Sequence, residues 1–372
     1  MKPRTILVNA SYAPSLTNFR GPLIAAMVAA GHRVHASAPG LVGENADKVA
    51  ALGAVPHDVP LSRAGLNPVA DYRYYRAMRQ LIRRTKADLV LGYTIKPCIW
   101  GSLAAQDERV ESASLITGLG FAFIPGEGLR LRLVSAASRL LYARATAANR
   151  VVIFQNPDDR ADFIAAGALA DPAKARLVNG SGVDMAHYAP AVLPAEPRFL
   201  MISRLLGNKG VREYGNAAAQ LLGEGLAAKF ALAGYFDEGS DSIGRDELAA
   251  WQAAGLDYLG PLDDVRPALA QASVYVLPSY REGTPRTVLE AMALGRAVIT
   301  SDAPGCRETV QHGVTGLLVP AKNVNAIASA MRQLAENPAL RTAMGAAGLD
   351  YCRQKYAVEK VNQAMLAHLG LD

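Results

Sequence analysis

Short apolar runs alternate with longer segments of helical periodicity along the whole chain. In the first half, the runs predict strands at Ile6–Asn9, Val34–Ser37, Leu89–Gly92, Ser114–Thr117, Val151–Gln155 and Arg176–Asn179. In the second half, they predict strands at Arg198–Ser203, Lys229–Gly234, Val274–Pro278, Ala297–Thr300 and Leu317–Val319. Near-continuous apolar strands separated by helices are typical of parallel sheets that are buried on both faces.

The periodicity lapses between residues 180 and 198, where Pro190, Pro194 and Pro197 lie close together. Prolines without periodicity indicate a linker, and we expect a hinge near residues 185–197. The chain is therefore predicted to be an α/β protein with two doubly wound, Rossmann-like domains. Open sheets of this kind bind ligands at the carboxyl ends of their strands, so we expect a ligand site in a cleft between the domains.

Composition and charge narrow the class of protein. The chain has 372 residues, of which 51% are hydrophobic, which excludes a disordered chain. Its apolar runs are too short for a membrane-spanning helix, and its N-terminus predicts a first strand instead of a signal peptide. The net charge of +6 divides into +8 for residues 1–190 (22 basic minus 14 acidic) and −2 for the rest (17 minus 19). A basic first half suggests nucleic acid, an anionic membrane or a phosphorylated substrate as partner.

The strongest local motif is E-G-T-P-R-T-V-L-E, which runs from Glu282 to Glu290 after the strand Val274–Pro278. We expect Thr284 to cap the following helix and Pro285 to be its first residue. Backbone N–H groups and the positive end of that helix then face an anion, most simply a phosphate. Two carboxylates beside a phosphate site favour hydrogen bonds to neutral hydroxyls, although the spacing also fits an ordinary capped helix with two solvated glutamates.

A second motif, S-R-L-L-G-N-K-G, runs from Ser203 to Gly210, directly after the first strand of the second half. Its cations, Arg204 and Lys209, lie five residues apart on a strand-to-helix loop. A guanidinium fork and an ammonium group at that spacing fit the two phosphates of a diphosphate. Taken alone, the motif is more simply a solvated basic loop.

Together, the two motifs resemble the retaining glycosyltransferases of family 4, which have the GT-B fold. Further segments resemble parts of that family, namely Val178–Asp184, Ala303–Glu308 and Gly313–Val319. The resemblance implies two Rossmann-like domains facing across a cleft, with a C-terminal helix that crosses back to the first domain. We place the domains at residues 1–188 and 189–352, and the returning helix at 353–372. The resemblance also implies a nucleotide-sugar co-substrate, no resident cofactor and no metal.

The resemblance assigns donor binding to the second domain. Arg204 and Lys209 are expected to bind the diphosphate and the leaving group. Glu290 is expected to bind the ribose hydroxyls, and Glu282 to face the transferred sugar. The other expected donor contacts are Ser203, Gly283, Thr284, Pro285 and Thr287. The catalytic residues are expected to be Glu282, Arg204 and Lys209. Glu282 faces the transferred sugar, and the two fixed cations stabilise the charge that grows on a departing diphosphate.

The first domain is expected to hold the acceptor. Its predicted acceptor residues are Asn18, Arg20, Thr94, Lys96, Thr117 and Gly118. Many relatives have a glycine pair and a histidine in the corresponding loops; here Arg20 is hypothesised to compensate for the glycines, and Thr94 and Lys96 occupy the place of the histidine. Lys96 is expected to hold an acceptor pyrophosphate or a sugar hydroxyl. The segments Thr94–Pro97, Thr117–Phe121 and Phe154–Asp159 resemble a subset of bacterial transferases that extend lipid-linked oligosaccharides, including N-acetylgalactosaminyltransferases that act on undecaprenyl-diphosphate-linked bacillosamine.

Basic and aromatic side chains of the first domain suggest contact with an anionic membrane surface. The predicted membrane residues are Arg76, Arg79, Arg83, Phe121, Phe123, Arg130 and Arg132. The alternative is a pair of solvated amphipathic helices whose apolar stripes belong to the core. The sequence has no nucleic-acid-binding motif, so we expect no nucleic acid partner.

The resemblance implies a retaining, metal-independent hexosyltransferase. It is expected to move a hexose or N-acetylhexosamine from a nucleotide-diphosphate sugar to a lipid-linked saccharide in cell-surface glycan or glycoprotein glycan synthesis. The bacterial subset favours UDP over GDP, and implies a cytoplasmic protein on the inner face of the plasma membrane. The alternatives are a sugar-nucleotide epimerase of the same fold and a non-catalytic module that binds anionic lipid. The oligomeric state stays open.

Overall fold

The computed structural model describes residues 2–62, 67–119, 123, 129–237, 239 and 241–372, with only the backbone described at 129–131. The chain forms two compact units. Unit 1 comprises Met1–Ser181 and Lys360–Asp372, and unit 2 comprises Gly182–Glu359. The chain thus passes between the units after Ser181 and after Glu359, whereas the sequence prediction placed the boundaries after residues 188 and 352.

Unit 1 is built on parallel strands that alternate with helices. Its strands are β1 (Thr5–Asn9), β2 (Arg33–Ala38), β3 (Val55–Asp58), β4 (Leu89–Tyr93), β5 (Glu111–Ile116), β6 (Val151–Phe154) and β7 (Ala175–Leu177). Its helices are α1 (Pro14–Asn18), α2 (Gly21–Ala29), α3 (Glu44–Ala51), α4 (Pro68–Thr85), α5 (Ser102–Asp107), α6 (Leu129–Ala148) and α7 (Pro157–Ala165). A π-helical turn spans Pro97–Gly101, and the strand order is β3-β2-β1-β4-β5-β6-β7.

Unit 2 repeats this arrangement. Its strands are β8 (Arg198–Ile202), β9 (Lys229–Ala233), β10 (Asp257–Gly260), β11 (Val274–Leu277), β12 (Ala297–Ser301) and β13 (Gly316–Val319). Its helices are α8 (Val211–Gly223), α9 (Arg245–Ala253), α10 (Arg266–Gln271), α11 (Arg286–Ala293), α12 (Val324–Glu336) and α13 (Pro338–Lys355). The parallel sheet has the order β10-β9-β8-β11-β12-β13, which matches the first six strands of unit 1.

The first strand shows why these apolar runs form buried sheets. Ile6 and Val8 belong to one hydrophobic cluster, whereas Leu7, which points to the opposite face, belongs to another. Helices therefore cover both faces of the sheet, as near-continuous apolar strands predict. The last helix, α14 (Val358–Leu369), contributes Met365 and Leu369 to the first cluster. The C-terminal helix thus returns to pack within unit 1.

The proline-containing segment expected to act as a hinge is bound to unit 2. The buried guanidinium of Arg296 donates to the carbonyl oxygen of Val192, and that of Arg341 donates to the carbonyl oxygen of Ala195 at 3.1 Å. Burial lowers the pKa of Arg296 to about 10. Charge-assisted hydrogen bonds of this kind are stronger than neutral ones, so residues 191–195 are held as part of unit 2.

Within the described residues, no helix is long and apolar enough to cross a membrane.

Candidate active site

The two sheets reverse their strand order at the pairs β1/β4 and β8/β11. Ligands of open α/β sheets bind outside the carboxyl ends of the strands at such points. In unit 2, the segments carrying Lys209 and Glu282 follow β8 and β11. In unit 1, Ser11 follows β1 and Thr94 follows β4. The predicted site residues Lys209, Glu282 and Thr94 therefore lie at the switch points of their units.

Lys209 and Glu282 meet across the switch point of unit 2. Nζ of Lys209 donates to Oε1 of Glu282 at 2.6 Å, and both side chains are less than one fifth exposed. The N–H of Tyr280 donates to the carbonyl oxygen of Asn208 at 2.9 Å, and its hydroxyl donates to Oε1 of Glu213 at 2.6 Å. These contacts join the loop after β11 to the loop after β8 and to helix α8, and so hold the predicted cation and carboxylate together.

Close backbone approaches fix both loops. A Cβ at Gly210, whose φ is +76°, would lie 2.3 Å from the carbonyl oxygen of Pro278. A Cβ at Gly305, with φ of +79°, would lie 2.0 Å from the carbonyl oxygen of Glu282. The N–H of Glu282 also donates to the carbonyl oxygen of Pro304 at 2.9 Å. Glycine is therefore required at both positions, and the Ala303–Glu308 motif supports the backbone at Glu282.

Arg204 lies at the exposed rim of the same site. Its Nη1 donates to Oδ2 of Asp237 at 2.8 Å, while Ser203 Oγ donates to the carbonyl oxygen of Arg204. The Arg204 side chain is 45% exposed, so it is accessible to a ligand. Sequence reasoning missed Asp237, which follows β9. The available signal was its position, because a charged residue just after a buried strand lies at the carboxyl edge of the sheet.

Helix α11 starts beside these loops, one residue later than predicted. Pro285 is the N-cap residue and makes no side-chain cap, so the expected cap by Thr284 and the expected first position of Pro285 are wrong. A helix start presents N–H groups and the positive end of the helix dipole, which suits an anion. In α11, the N–H of Val288 already donates to the carbonyl oxygen of Pro285 at 3.1 Å. Thr287 Oγ1 lies 2.6 Å from the hydroxyl of Tyr275, which also donates to the carbonyl oxygen of Ile202. The hydroxyl of Thr287 thus contacts the sheet.

Glu290 is buried on the same helix and is 4% exposed. Nε of Arg286, one turn earlier, lies 2.8 Å from Oε1 of Glu290. The hydroxyl of Tyr188 also hydrogen-bonds the Glu290 carboxylate. Burial raises the pKa of Glu290, and the charge of Arg286 and the hydrogen bond from Tyr188 oppose that rise. Sequence reasoning missed both partners, although Arg286 is at the i,i+4 spacing that marks a helical ion pair.

The predicted acceptor residues after β4 form a polar cluster in unit 1. Thr94 has a φ of +70°, which is unfavourable for a β-branched residue, and its hydroxyl donates to Ser11 Oγ at 2.8 Å. Such strain is concentrated at functional sites. Nζ of Lys96 lies 2.8 Å from Oδ1 of Asp71, with side chains 11% and 8% exposed. Lys96 therefore already has a buried counter-ion, which sequence reasoning did not identify.

The remaining predicted acceptor residues differ in exposure. Asn18 is exposed at the end of α1, and Thr117 and Gly118 are partly exposed after β5. Arg20 is 4% exposed; its Nη1 donates to Ser181 Oγ at 3.1 Å and its guanidinium lies 5.3 Å from the ring centroid of Tyr93. Arg20 is thus packed within unit 1.

The predicted membrane residues belong to two helices of unit 1 and to the segment between β5 and α6. On α4, Arg76 is exposed, whereas Arg79 and Arg83 both pair with Glu108. Arg132 on α6 is exposed. Phe123 is partly buried and stacks on Phe163. Phe121 and the side chain of Arg130 lie outside the described residues.

Comparison with protein families matches both units. A profile described as "Glycosyl transferase 4-like domain" matches residues 19–180, and one described as "Glycosyl transferases group 1" matches residues 196–337. A Campylobacter jejuni relative, an N,N'-diacetylbacillosaminyl-diphospho-undecaprenol alpha-1,3-N-acetylgalactosaminyltransferase, is 28% identical over 88% of both chains. An Escherichia coli UDP-Gal:alpha-D-GlcNAc-diphosphoundecaprenol alpha-1,3-galactosyltransferase is 24% identical over 76% of this chain and 75% of its own.

Solved structures share the fold. A glycosyltransferase from Rickettsia africae has a TM-score of 0.80 and 16% identity, covering 100% of this chain and 99% of its own. Anabaena HepE, crystallised in complex with UDP, has a TM-score of 0.77 and 17% identity, covering 98% of this chain and 99% of its own. The two parallel sheets and this likeness confirm the GT-B fold class that the sequence predicts.

Proposed function

The chain belongs to the group 1 glycosyl transferases with a glycosyl transferase 4-like N-terminal domain, and we propose that it transfers a hexose or N-acetylhexosamine from a UDP-linked donor to a lipid-linked saccharide. The C. jejuni and E. coli relatives are named for acceptors carried on undecaprenyl diphosphate, which supports this acceptor class. The UDP in the HepE structure supports the donor class. The product belongs to cell-surface glycan or glycoprotein glycan synthesis.

The proposal depends chiefly on the pairing of Lys209 and Glu282 beside the first turn of α11. The cations Lys209 and Arg204 bind the donor diphosphate, together with first-turn N–H groups of α11. A diphosphate carries more charge than either carboxylate partner, so it competes for both cations. Glu282, released from Lys209, accepts hydrogen bonds from hydroxyls of the transferred sugar. Glu290 accepts hydrogen bonds from the ribose.

The proposed reaction retains the anomeric configuration and needs no metal. The glycosidic bond to the diphosphate breaks through an oxocarbenium-like state, while Lys209 and Arg204 stabilise the negative charge that develops on the leaving oxygen. The acceptor hydroxyl attacks from the same face, and the departing phosphate takes its proton. No side chain then has to be a strong base, and two protein cations do the work that a divalent ion would otherwise do.

Unit 1 supplies the proposed acceptor site around Thr94 and Lys96. Because Asp71 neutralises Lys96, the pair suits sugar hydroxyls better than a pyrophosphate: the ammonium donates and the carboxylate accepts. The strained Thr94 and its partner Ser11 add two hydroxyl groups at the same strand ends. Of the two roles considered for Lys96, we therefore favour binding of a saccharide hydroxyl.

A peripheral position on the anionic inner face of the bacterial plasma membrane fits a lipid-linked acceptor. Leu133 and Leu140, seven residues apart on α6, are 62% and 73% exposed. They share a face of the helix, and the exposed Arg132 and Arg144 flank them. Exposed leucines between arginines suit the boundary between anionic headgroups and acyl chains. Arg76 on α4 adds exposed positive charge, whereas Arg79 and Arg83 share the carboxylate of Glu108.

Vesicle sedimentation tests this membrane contact. The double variant Leu133→Gln/Leu140→Gln should lose binding to phosphatidylglycerol vesicles, while Val192→Gln, which alters a 93% exposed residue of unit 2, should bind like the unaltered protein. Equal binding by all three proteins would contradict a role for α6.

Nucleotide-induced stabilisation tests the donor site. UDP at about 100 times its dissociation constant should stabilise the purified protein by about 2.7 kcal/mol, with or without EDTA, and more than GDP or ADP. The variant Glu290→Ala should lose this stabilisation, whereas Glu336→Ala, on the exposed face of α12, should keep it. A failure of UDP to stabilise the unaltered protein would contradict the donor assignment.

An assay of sugar transfer distinguishes the proposed transferase from the alternative functions. Incubation with a UDP-sugar and a lipid-linked saccharide should yield an extended saccharide whose new linkage has the donor's anomeric configuration by NMR. Epimerised UDP-sugar formed without an acceptor would favour the epimerase. Vesicle binding without transfer or nucleotide binding would favour the lipid-binding module.

A further inference from the structure

The carboxylate of Glu290 is held by two side chains that approach it from different parts of unit 2. Arg286 lies one turn earlier on α11, and its Nε is 2.8 Å from Oε1 of Glu290. Tyr188 approaches from a segment 102 positions earlier in the chain, and its hydroxyl hydrogen-bonds the same carboxylate. Glu290 and Tyr188 are 4% and 7% exposed, so both are withdrawn from bulk solvent.

The segment that carries Tyr188 has its own hydrogen bonds. Oδ1 of Asp184 accepts from the N–H groups of Ala186 and His187 at 2.9 and 3.0 Å. The carbonyl oxygen of Asp184 accepts from the N–H of Tyr188 at 2.9 Å. This turn fixes the direction in which the ring of Tyr188 leaves the backbone. Tyr188 therefore donates to Glu290 from a preset position.

Burial alone would favour the neutral form of Glu290, which cannot accept hydrogen bonds at all four lone-pair positions. An ionised carboxylate has acceptor capacity for four donors. Arg286 and Tyr188 use part of that capacity and leave enough for two further hydroxyl donors. A ribose presents two adjacent hydroxyls in that geometry, so the remaining acceptors match this part of a ribonucleotide.

We propose that Arg286 and Tyr188 are positioning residues that keep the Glu290 carboxylate ionised and oriented to accept hydrogen bonds from both ribose hydroxyls of the donor nucleotide. This inference rests on the proposed function, because it assumes that a sugar nucleotide binds at α11. It adds that recognition of a ribonucleotide over a deoxyribonucleotide depends on residues that need not touch the nucleotide themselves.

The charge state of Glu290 is a specific readout of whether Arg286 and Tyr188 position this carboxylate. The titratable groups that interact with it are Arg286 on its own helix, Tyr188 from the preceding segment and Tyr275 from β11. Burial raises the pKa of both tyrosines, so they stay neutral near pH 7. Glu290 is thus the member of this group that titrates when Arg286 is removed.

Calorimetric titration with UDP and 2′-deoxy-UDP between pH 6 and pH 9 tests the proposal. For the unaltered protein, we expect UDP to bind more tightly than 2′-deoxy-UDP by a ratio that stays constant with pH, because both ligands carry the same titrating phosphate. For Arg286→Met, we expect UDP affinity to fall about tenfold or more at pH 6, because the ion pair with Glu290 is lost, and to recover toward pH 9. The affinity of this variant for 2′-deoxy-UDP should change less.

Two further variants separate positioning from direct contact with the phosphates. Tyr188→Phe removes only a hydroxyl and should weaken UDP binding in the same pH-dependent way, but less. Arg286→Lys keeps the charge and should restore part of the affinity. A uniform loss for UDP and 2′-deoxy-UDP in Arg286→Met, at every pH, would overturn the proposal and assign Arg286 to the phosphates.

A measurement without nucleotide tests the role of Arg286 independently of the proposed function. In protein with ¹³C-labelled glutamate, assigned with Glu290→Gln, the pKa of Glu290 should be higher in Arg286→Met than in the unaltered protein. An unchanged pKa overturns the inference alone. A raised pKa together with no UDP binding by the unaltered protein refutes the proposed donor, and with it the role in ribose recognition.

Discussion

The two units have the same strand order around their switch points, yet they use charge there in different ways. In unit 2, the side chain of Arg204 is 45% exposed, and its carboxylate partner Asp237 is 27% exposed. In unit 1, Lys96 and Asp71 are 11% and 8% exposed. The rim cation of unit 2 is accessible to a diphosphate, whereas the cation of unit 1 is neutralised inside the protein. The same architecture thus offers one edge suited to a charged ligand and another suited to neutral hydroxyls.

This difference in exposure also predicts which charged residues matter for stability and which matter for function. Removing one member of a buried ion pair strongly lowers stability, because the other member is left as an uncompensated charge in a poorly solvated site. A cation near the surface contributes little to stability but interacts with a charged ligand. Lys209, which is 18% exposed, lies between these two cases. Its substitution should affect sugar transfer more than stability, whereas substitution of Lys96 should affect stability most.

The largest expected effect is on the stability of unit 1. Lys96→Met leaves Asp71 buried without its counter-ion and should lower the free energy of unfolding of unit 1 by about 3–5 kcal/mol. The double variant Asp71→Leu/Lys96→Met should recover most of that loss. Hydrogen exchange of β1 and β4 under native conditions measures it. Lys48→Met, which breaks an exposed ion pair of the same unit, is the control and should change little. Unchanged exchange in Lys96→Met would contradict the contrast between the units.

The next effect is on catalysis in unit 2. Lys209→Ala should reduce the rate of sugar transfer about 100–1000-fold, because a fixed positive charge near the leaving group is lost. Its thermal unfolding should change less than that of Lys96→Met, because Lys209 and Glu282 are more exposed than Lys96 and Asp71. Steady-state kinetics with a UDP-sugar measure the change, and Lys229→Ala, at a 66% exposed position of the same unit, serves as control. Full activity of Lys209→Ala would remove the lysine from the mechanism.

A smaller effect is expected where the proline-containing segment binds unit 2. Arg296→Met removes the donors to the carbonyl oxygens of Val192, Leu269 and Ala270, and should destabilise unit 2 by about 1.5–3 kcal/mol. Faster hydrogen exchange at residues 191–195 should accompany the loss. Arg332→Met, which removes an exposed ion pair with Glu224, should leave that segment unchanged. If residues 191–195 exchange at the same rate in Arg296→Met, the contacts do not hold the segment.

The smallest expected effect is a loss of stability at β3, an edge strand of unit 1, as the pH falls. Burial, His35 and Arg84 lower the pKa of His57 on β3 to about 4, from an ordinary value of 6.5. Between these values the unfolded chain binds a proton that the folded chain does not, so stability falls as pH falls from about 6.5 to 4. Amides of β3 should exchange faster relative to those of β10 across this window.

The variant His57→Gln should flatten that pH dependence, since it removes the titrating group. His35 on β2 has its pKa lowered as well, by burial and by Arg33 and Arg84, so a weak residual slope is expected. An unaltered slope in His57→Gln would exclude the histidine pair as its cause.

The strands that the apolar pattern did not predict, β3 and β10, are both at the edge of a sheet. Their residues are exposed or half-buried, with burial patterns that contain no fully buried position. Edge strands bury little of their surface, so they need no continuous apolar run, and Pro56 is tolerated because one side of such a strand needs no partner. The central strands, buried on both faces, were predicted because burial requires that run.

The motifs were predictable as residue types, but their partners were not. Lys209 and Glu282 are 73 positions apart, and Arg204 and Asp237 are 33 apart. Nothing in the local sequence says which loops meet, because that depends on which strands are neighbours in the sheet. The hinge expected near residues 185–197 shows the same limit: three prolines indicate an irregular backbone, but only Arg296 and Arg341 show where that backbone is bound.

The amino-acid sequence by itself determined that the chain forms two α/β units and carries the segments Ser203–Gly210 and Glu282–Glu290 that mark its family. Apolar periodicity and short motifs are local properties, so they can be found without coordinates. Only the tertiary structure decided which charges are accessible and which are neutralised: Lys96 is paired with Asp71, and Glu290 is held by Arg286 and Tyr188. The physical reason is that the energy of a charge depends on its solvent exposure and its neighbours, and both are set by strand order and packing.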